Sequence, residues 1–160
     1  MLVFQGKNLF RFLNSKYKDQ AVSKNTYYRF LNETSYSWNR FLLLLAAKVT
    51  AIFDKLTRKE RVKVLILDDS VIKRNRSKKV ELLARVYDHV EHKFQKGFTL
   101  LTLGWSDGYS FISVGFNMLS SAVRSNRYQN MSTDIDRRSN GYKVRKESLM
   151  AKTDAAILQI

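Results

Sequence analysis

The stretch that most restricts how this chain can fold runs from Val62 to Lys79. Val62-Lys63-Val64-Leu65-Ile66-Leu67 is aliphatic and rich in β-branched residues, which predicts a buried strand over 62–69. The strand is expected to end in two adjacent carboxylates, Asp68 and Asp69, and to pass into a basic loop, Lys73-Arg74-Asn75-Arg76-Ser77-Lys78-Lys79. Carboxylates at the end of an apolar strand can hold a hard divalent cation, which takes oxygen ligands and few protein carboxylates. Neighbouring strand residues point to opposite faces, so only one of the pair can serve a given site. The loop cations Lys73, Arg74, Arg76, Lys78 and Lys79 suit contact with a phosphate backbone, without reading bases. The plainer alternative is that the aspartates pair with Arg74 or Arg76 or simply end the strand.

Charge points the same way. Lys and Arg number 29 against 14 Asp and Glu, a formal net charge of +15. Such a field attracts polyanions over long range, and nucleic acid is the leading partner. An anionic membrane is the weaker reading, and none is expected as partner, because no segment is basic on one helical face and strongly apolar on the other. The longest apolar run, Phe41 to Ala47, is far short of the roughly 20 residues a spanning helix needs, and Met1–Gly6 is too short for a secretory signal. The chain has no cysteine, which excludes disulfides, thiolate metal sites and cysteine nucleophiles. Gly104-Trp105-Ser106-Asp107-Gly108 is no nucleophile elbow, because its turn leads to a strand and not a helix.

Periodicity divides the chain into a helical part, 1–57, and a mixed part, 58–160, across the charged linker Arg58-Lys59-Glu60-Arg61. Leu9, Phe10, Leu13 and Tyr17 recur at helical spacing. Ser23 is placed to cap a second helix carrying Tyr27, Tyr28, Phe30 and Leu31. Trp38, Phe41, Leu42, Leu45, Val49, Ile52, Phe53 and Leu56 form the stripe of a third. This resembles a helix-turn-helix, with Lys24, Asn25 and Arg29 facing DNA, or else a plain helical subdomain with a solvated basic face. Beyond the basic loop, Leu82, Leu83, Val86, Tyr87, Val90 and Phe94 predict a helix capped by Ser77, with His89 and His92 on its solvated side. Strands are expected over 97–105 and 111–118, joined by a turn at Ser106-Asp107-Gly108. A loop over 124–140 and a closing helix over 141–159, with Leu149, Met150, Ala156 and Ile157 inward, complete the reading.

Leu67-Asp68-Asp69-Ser70, Arg74 to Glu81, Tyr87-Asp88-His89 and Gly97 to Gly108 together resemble bacterial insertion-sequence transposases with an RNase H-like DDE catalytic domain. The resemblance implies an α+β fold: a helical amino-terminal subdomain followed by the first three strands and flanking helices of an incomplete RNase H-like fold. It implies Mg²⁺ (or Mn²⁺)-dependent strand cleavage and transfer on double-stranded DNA at terminal inverted repeats, in the bacterial cytoplasm and nucleoid. Self-association, or association with a full-length transposase, belongs to the same expectation. Asp68 fits the family's first catalytic aspartate and metal ligand, with Asp69 as the alternative. The family's second aspartate and its glutamate have no counterpart: Tyr142 and Arg145 match the spacing of its Tyr-x2-Arg-x3-Glu-x6-Lys motif, but the glutamate position is Leu149. Asp134 and Asp136 are expected in a loop. The expectation is an amino-terminal fragment with one of three carboxylates. It is then either a transposase inactive by itself or a DNA-binding remnant acting at element ends.

Overall fold

The computed structural model describes residues 9–15, 22–57 and 60–160, the side chains of Leu9 and Phe10 excepted. Tyr17, Arg58 and Lys59 lie outside the described residues. The chain forms two compact units, Met1–Thr34 and Ser35–Ile160. The division lies before the third helix and not at the charged linker, because that helix packs on the sheet.

The first unit holds α1 (Leu9–Leu13) and α2 (Lys24–Asn32). Ser23 caps α2 as expected, its hydroxyl accepting from the Thr26 N–H at 3.3 Å. Phe12, buried on α1, meets Tyr27 of α2 edge to face at 6.5 Å between centroids.

The second unit opens with α3 (Trp38–Leu56), where Ser37 accepts from the Arg40 N–H at 3.4 Å. Ala46 is the buried residue of α3, and Leu42, Val49 and Phe53 are half-buried around it as the helix packs on the sheet. The small Ala46 side chain lets the backbone approach and sets which side turns inward. The expected stripe is therefore split: Phe41, Leu45, Ile52 and Leu56 stay 46% to 76% exposed.

Four antiparallel strands follow: β1 (Val64–Lys73), β2 (Ala84–Asp88), β3 (Lys93–Ser106) and β4 (Phe111–Leu119). β3 is central. β1 runs along one edge, from Val64 opposite Ser106 to Lys73 opposite Gly97. On the other edge β2 pairs with the first part of β3 and β4 with the second. A Cβ at Gly97 would lie 2.1 Å from the Ile72 carbonyl oxygen, so glycine is what allows the two backbones to close there. A 3-10 turn (Arg124–Asn126) lies in the loop expected over 124–140.

The expected α+β class holds, and three details are corrected. The helix expected from Leu82 to Phe94 is instead β2, a turn and the start of β3. The period is two: Ala84, Val86 and Asp88 are buried while Arg85 and Tyr87 are exposed. Asp88 makes the turn, its Oδ1 accepting from the N–H groups of Val90 and Glu91, so Ser77 caps no helix. The closing helix is two, α4 (Asn140–Glu147) and α5 (Lys152–Gln159). It breaks at buried Ser148, whose carbonyl is taken by the Ser120 N–H at 2.8 Å. Leu149, Met150 and Ala156 pack inward as expected, but Ile157 is exposed and Ala155 takes the buried place. The third correction concerns β1, which is not buried. Val64, Leu65, Ile66 and Leu67 are 40% to 58% exposed on both faces, because the main neighbours of β1 among the described residues are the strands β3 and β2 and no helix covers it closely.

The core has two parts. Leu82, Leu83 and Phe98 pack with Met131 and Leu149, and Leu101, Leu119 and Ala155 pack with Met150 and Ala156. Leu82 holds a left-handed φ of 58° while 5% exposed, its carbonyl taken by the Ser120 hydroxyl at 2.6 Å.

Candidate carboxylate site and nucleic-acid interface

Asp68 and Asp69 lie inside β1, not at its end. Ser70, Val71, Ile72 and Lys73 continue the pairing, since β3 is long enough to carry β1 down to Gly97. Residues paired across antiparallel strands share a face. Asp69 stands opposite Leu101, whose side chain lies under α5 with Ala155. Lys152, the first residue of α5, reaches Asp69 Oδ2 at 2.5 Å. Asp68 stands opposite Thr102 on the other face, which Phe116 of β4 shares. Among the described residues, no hydrogen bond or ion pair engages the Asp68 side chain. One carboxylate is thus neutralised by a lysine and the other left available to an external cation. Neither pairs with Arg74 or Arg76.

The basic loop divides in the same way. Lys73 is the last residue of β1, and its ammonium pairs with Glu91 and lies 3.3 Å from Asp88. The Glu91 carboxylate, then that of Asp88, raise the Lys73 pKa above its ordinary value. Glu91 is held below the usual carboxylate range by Lys73 and then Lys93; Asp88 is held below it by the Glu91 N–H, the Val90 N–H and Lys73. Lys73 is therefore a structural clamp between β1 and the β2–β3 turn. Arg74, Arg76, Lys78 and Lys79 are exposed. Their loop is folded back onto β3: the Arg74 N–H donates to the Lys96 carbonyl at 2.7 Å and Asn75 Nδ2 to Gln95 Oε1 at 3.1 Å.

In the first unit Lys24, Asn25 and Arg29 are all exposed on α2. Asn25 and Arg29 share a shallow cleft of about 490 Å³ with Tyr28, Asn32, Glu33 and Thr34, while the Lys24 ammonium lies 5.7 Å from the Tyr28 ring centre.

Sequence reading missed a second basic cluster. Arg137, Arg138, Lys143 and Lys146 line a cavity of about 580 Å³ at the start of α4. The doublets Arg137-Arg138 and Arg145-Lys146 were the available signal. Arg145 itself is structural: its Nε lies 2.9 Å from both Glu81 carboxylate oxygens, joining α4 to the segment before β2. Asp134 and Asp136 lie in a loop as expected, and Asp136 Oδ1 accepts from the Arg138 N–H at 2.9 Å. His89 and His92 lie in the β2–β3 turn and not on a helix. Among the described residues no group of three His, Cys, Asp or Glu side chains is arranged to hold a metal ion. No described helix is long and apolar enough to cross a membrane.

A model of the DDE superfamily endonuclease family matches residues 1–157 of the chain. No curated protein and no solved structure matches it.

Proposed function

Because this chain belongs to the DDE superfamily endonuclease family, we propose that it is the DNA-acting part of a bacterial insertion-sequence transposase. In this reading Asp68 is the metal-holding carboxylate, and Arg74, Arg76, Lys78 and Lys79 hold the phosphate backbone of terminal inverted repeats. The observation that carries it is the asymmetry of the aspartate pair: Asp69 is tied to Lys152, whereas Asp68 stands on the opposite face without a partner among the described residues. Lys24, Asn25 and Arg29, exposed on α2, are a second set of DNA contacts.

Enzymes of this superfamily generally work with divalent metal. Mg²⁺ or Mn²⁺ accepts one or two protein carboxylates and completes its shell with water and phosphate oxygens, so Asp68 suits one ligand position. In-line displacement at phosphorus between two ions needs further carboxylates. The described residues bring no such group together, so the donor set does not fit a two-metal site. In this reading the chain alone binds DNA without cutting it, acting at element ends in the nucleoid.

The test is a nicking assay with Mg²⁺ or Mn²⁺ on inverted-repeat duplex, alongside a salt-dependent titration against random duplex. We expect binding that weakens with salt and no cleavage products. Products that disappear in Asp68→Ala would overturn the inactivity. Equal affinity for both duplexes would reduce the binding to electrostatics.

A further inference from the structure

The exposed side of the β2–β3 hairpin carries a row of aromatic and cationic side chains that the carboxylate site does not use. By strand alternation and register, Arg85 faces Lys96 and Tyr87 faces Phe94 on one face. Tyr87 is 39% exposed and Phe94 55%. Their rings meet edge to face at 5.2 Å, and His89 meets Tyr87 at 5.0 Å. The Arg85 guanidinium carbon lies 3.8 Å above the Phe94 ring centre. The Lys96 ammonium lies 4.8 Å from the ring centre of Tyr128, itself 53% exposed. The row thus runs Tyr128, Lys96, Arg85, Phe94, Tyr87, His89. The acidic residues of the hairpin are engaged elsewhere: Asp88 is buried on the opposite face, and Glu91 is clamped by Lys73 and Lys93.

Large rings left in water at the surface of a small protein mark a binding face. The charge here selects the occupant. A face with two cations and no carboxylate of its own, on a chain of net charge +15, complements a polyanion. Exposed rings and a guanidinium plane add what a duplex cannot use, since its bases are already stacked, but what unpaired bases can.

We propose that this hairpin face binds single-stranded DNA, stacking unpaired bases on Tyr87, on Tyr128 and on the Arg85 guanidinium that the Phe94 ring supports, while Lys96 meets the phosphates. This rests on the reading of the chain as DNA-acting, and adds to it a preference for opened strands. Base stacking tolerates any sequence, so the preference is for unpairing and not for a base order.

The test compares binding of the full chain to a labelled oligodeoxythymidine of about 12 nucleotides and to a duplex of equal length. For Tyr87→Ala with Phe94→Ala we expect single-strand affinity to fall about tenfold or more while duplex affinity stays within about twofold. Equal loss on both probes, or none on the single strand, overturns the proposal. Should the alanine pair lose its cooperative melting transition, Tyr87→Leu with Phe94→Leu keeps the apolar bulk and removes the aromatic faces. On the unaltered protein, photocrosslinking to a 5-iodouracil oligonucleotide is expected at Tyr87 or Tyr128, and crosslinks confined to other segments refute the assignment. Wild-type binding to duplex but not to single strand sinks this proposal alone, whereas binding to neither sinks the DNA-acting reading. Self-association abolished by the same substitutions, with single-strand affinity unchanged, makes the face a protein contact and overturns the proposal.

Discussion

Asp107 shows how one buried carboxylate organises a turn. Its side chain is 1% exposed and accepts from the Ser110 N–H at 2.7 Å, from Arg61 Nη1 at 2.8 Å and from the Tyr109 N–H at 3.1 Å. Arg61 also covers the Tyr109 ring at 4.3 Å. The Ser110 N–H and then the Arg61 guanidinium hold the carboxyl down to about 2, from an ordinary 3.8. A lowered folded pKa means that the unfolded chain binds more protons in that interval, so stability rises with pH there. The contribution is complete above the ordinary value and is lost as pH falls toward 2. Asp107→Asn is expected to flatten the acid limb of stability against pH and to lower the urea midpoint at neutral pH; an unchanged acid limb would show that other groups carry it. The turn at Ser106-Asp107-Gly108 was legible in the sequence, because Asp and Gly are turn formers. The Arg61 partner was not, since it lies 46 positions away and only pairing of distant segments brings it there.

Among the elements, the pairing of β1 with β3 rests on a close backbone approach. Gly97→Ala would put its Cβ 2.1 Å from the Ile72 carbonyl, whereas Gly104→Ala would put its Cβ 2.2 Å from the Phe111 ring. A carbonyl fixed in a ladder cannot swing aside, and an exposed ring can. Gly97→Ala is therefore expected to cost about 1–3 kcal/mol and Gly104→Ala less, as read from denaturant midpoints; the reverse order would refute the argument. β3 and β4 were legible because their apolar runs are bounded by Gly and a turn. β2 was not. Leu82, Leu83, Val86, Tyr87 and Val90 satisfy a helical spacing, whereas the alternation the strand uses buries Ala84, Val86 and Asp88 and leaves Tyr87 outside, and apolar periodicity in so short a segment favours the wrong one. The break between α4 and α5 was hidden for another reason: it depends on Ser120 reaching the Ser148 carbonyl, a contact between remote positions.

For the whole molecule, the described residues leave an open edge on β1 with apolar residues on both faces. Such an edge templates pairing with another chain. Leu65→Lys with Leu67→Lys is expected to reduce concentration-dependent association in sedimentation while shifting the thermal transition little, because both side chains are already solvated; association unchanged by the pair would place the contact elsewhere. Leu83, fully buried beside Phe98, is the opposite case, and Leu83→Ala is expected to cost about 2–5 kcal/mol in unfolding experiments.

By itself the amino-acid sequence determined the α+β class, the helical start, the Ser23 cap, the β3–β4 hairpin and the strong positive charge. All of these depend on local propensity, alternation or composition. It also picked out the aspartate pair, and the family resemblance favoured Asp68 over Asp69. Tertiary structure alone showed that Lys152 engages Asp69, on the face that Asp68 does not share. It likewise took Lys73 out of the exposed basic loop by clamping it to Glu91 and Asp88, and turned the expected helix into a hairpin bearing the aromatic row. The physical reason is common to these cases: which partner a charge or ring meets is decided by strand pairing across tens of residues, and local pattern does not encode that register.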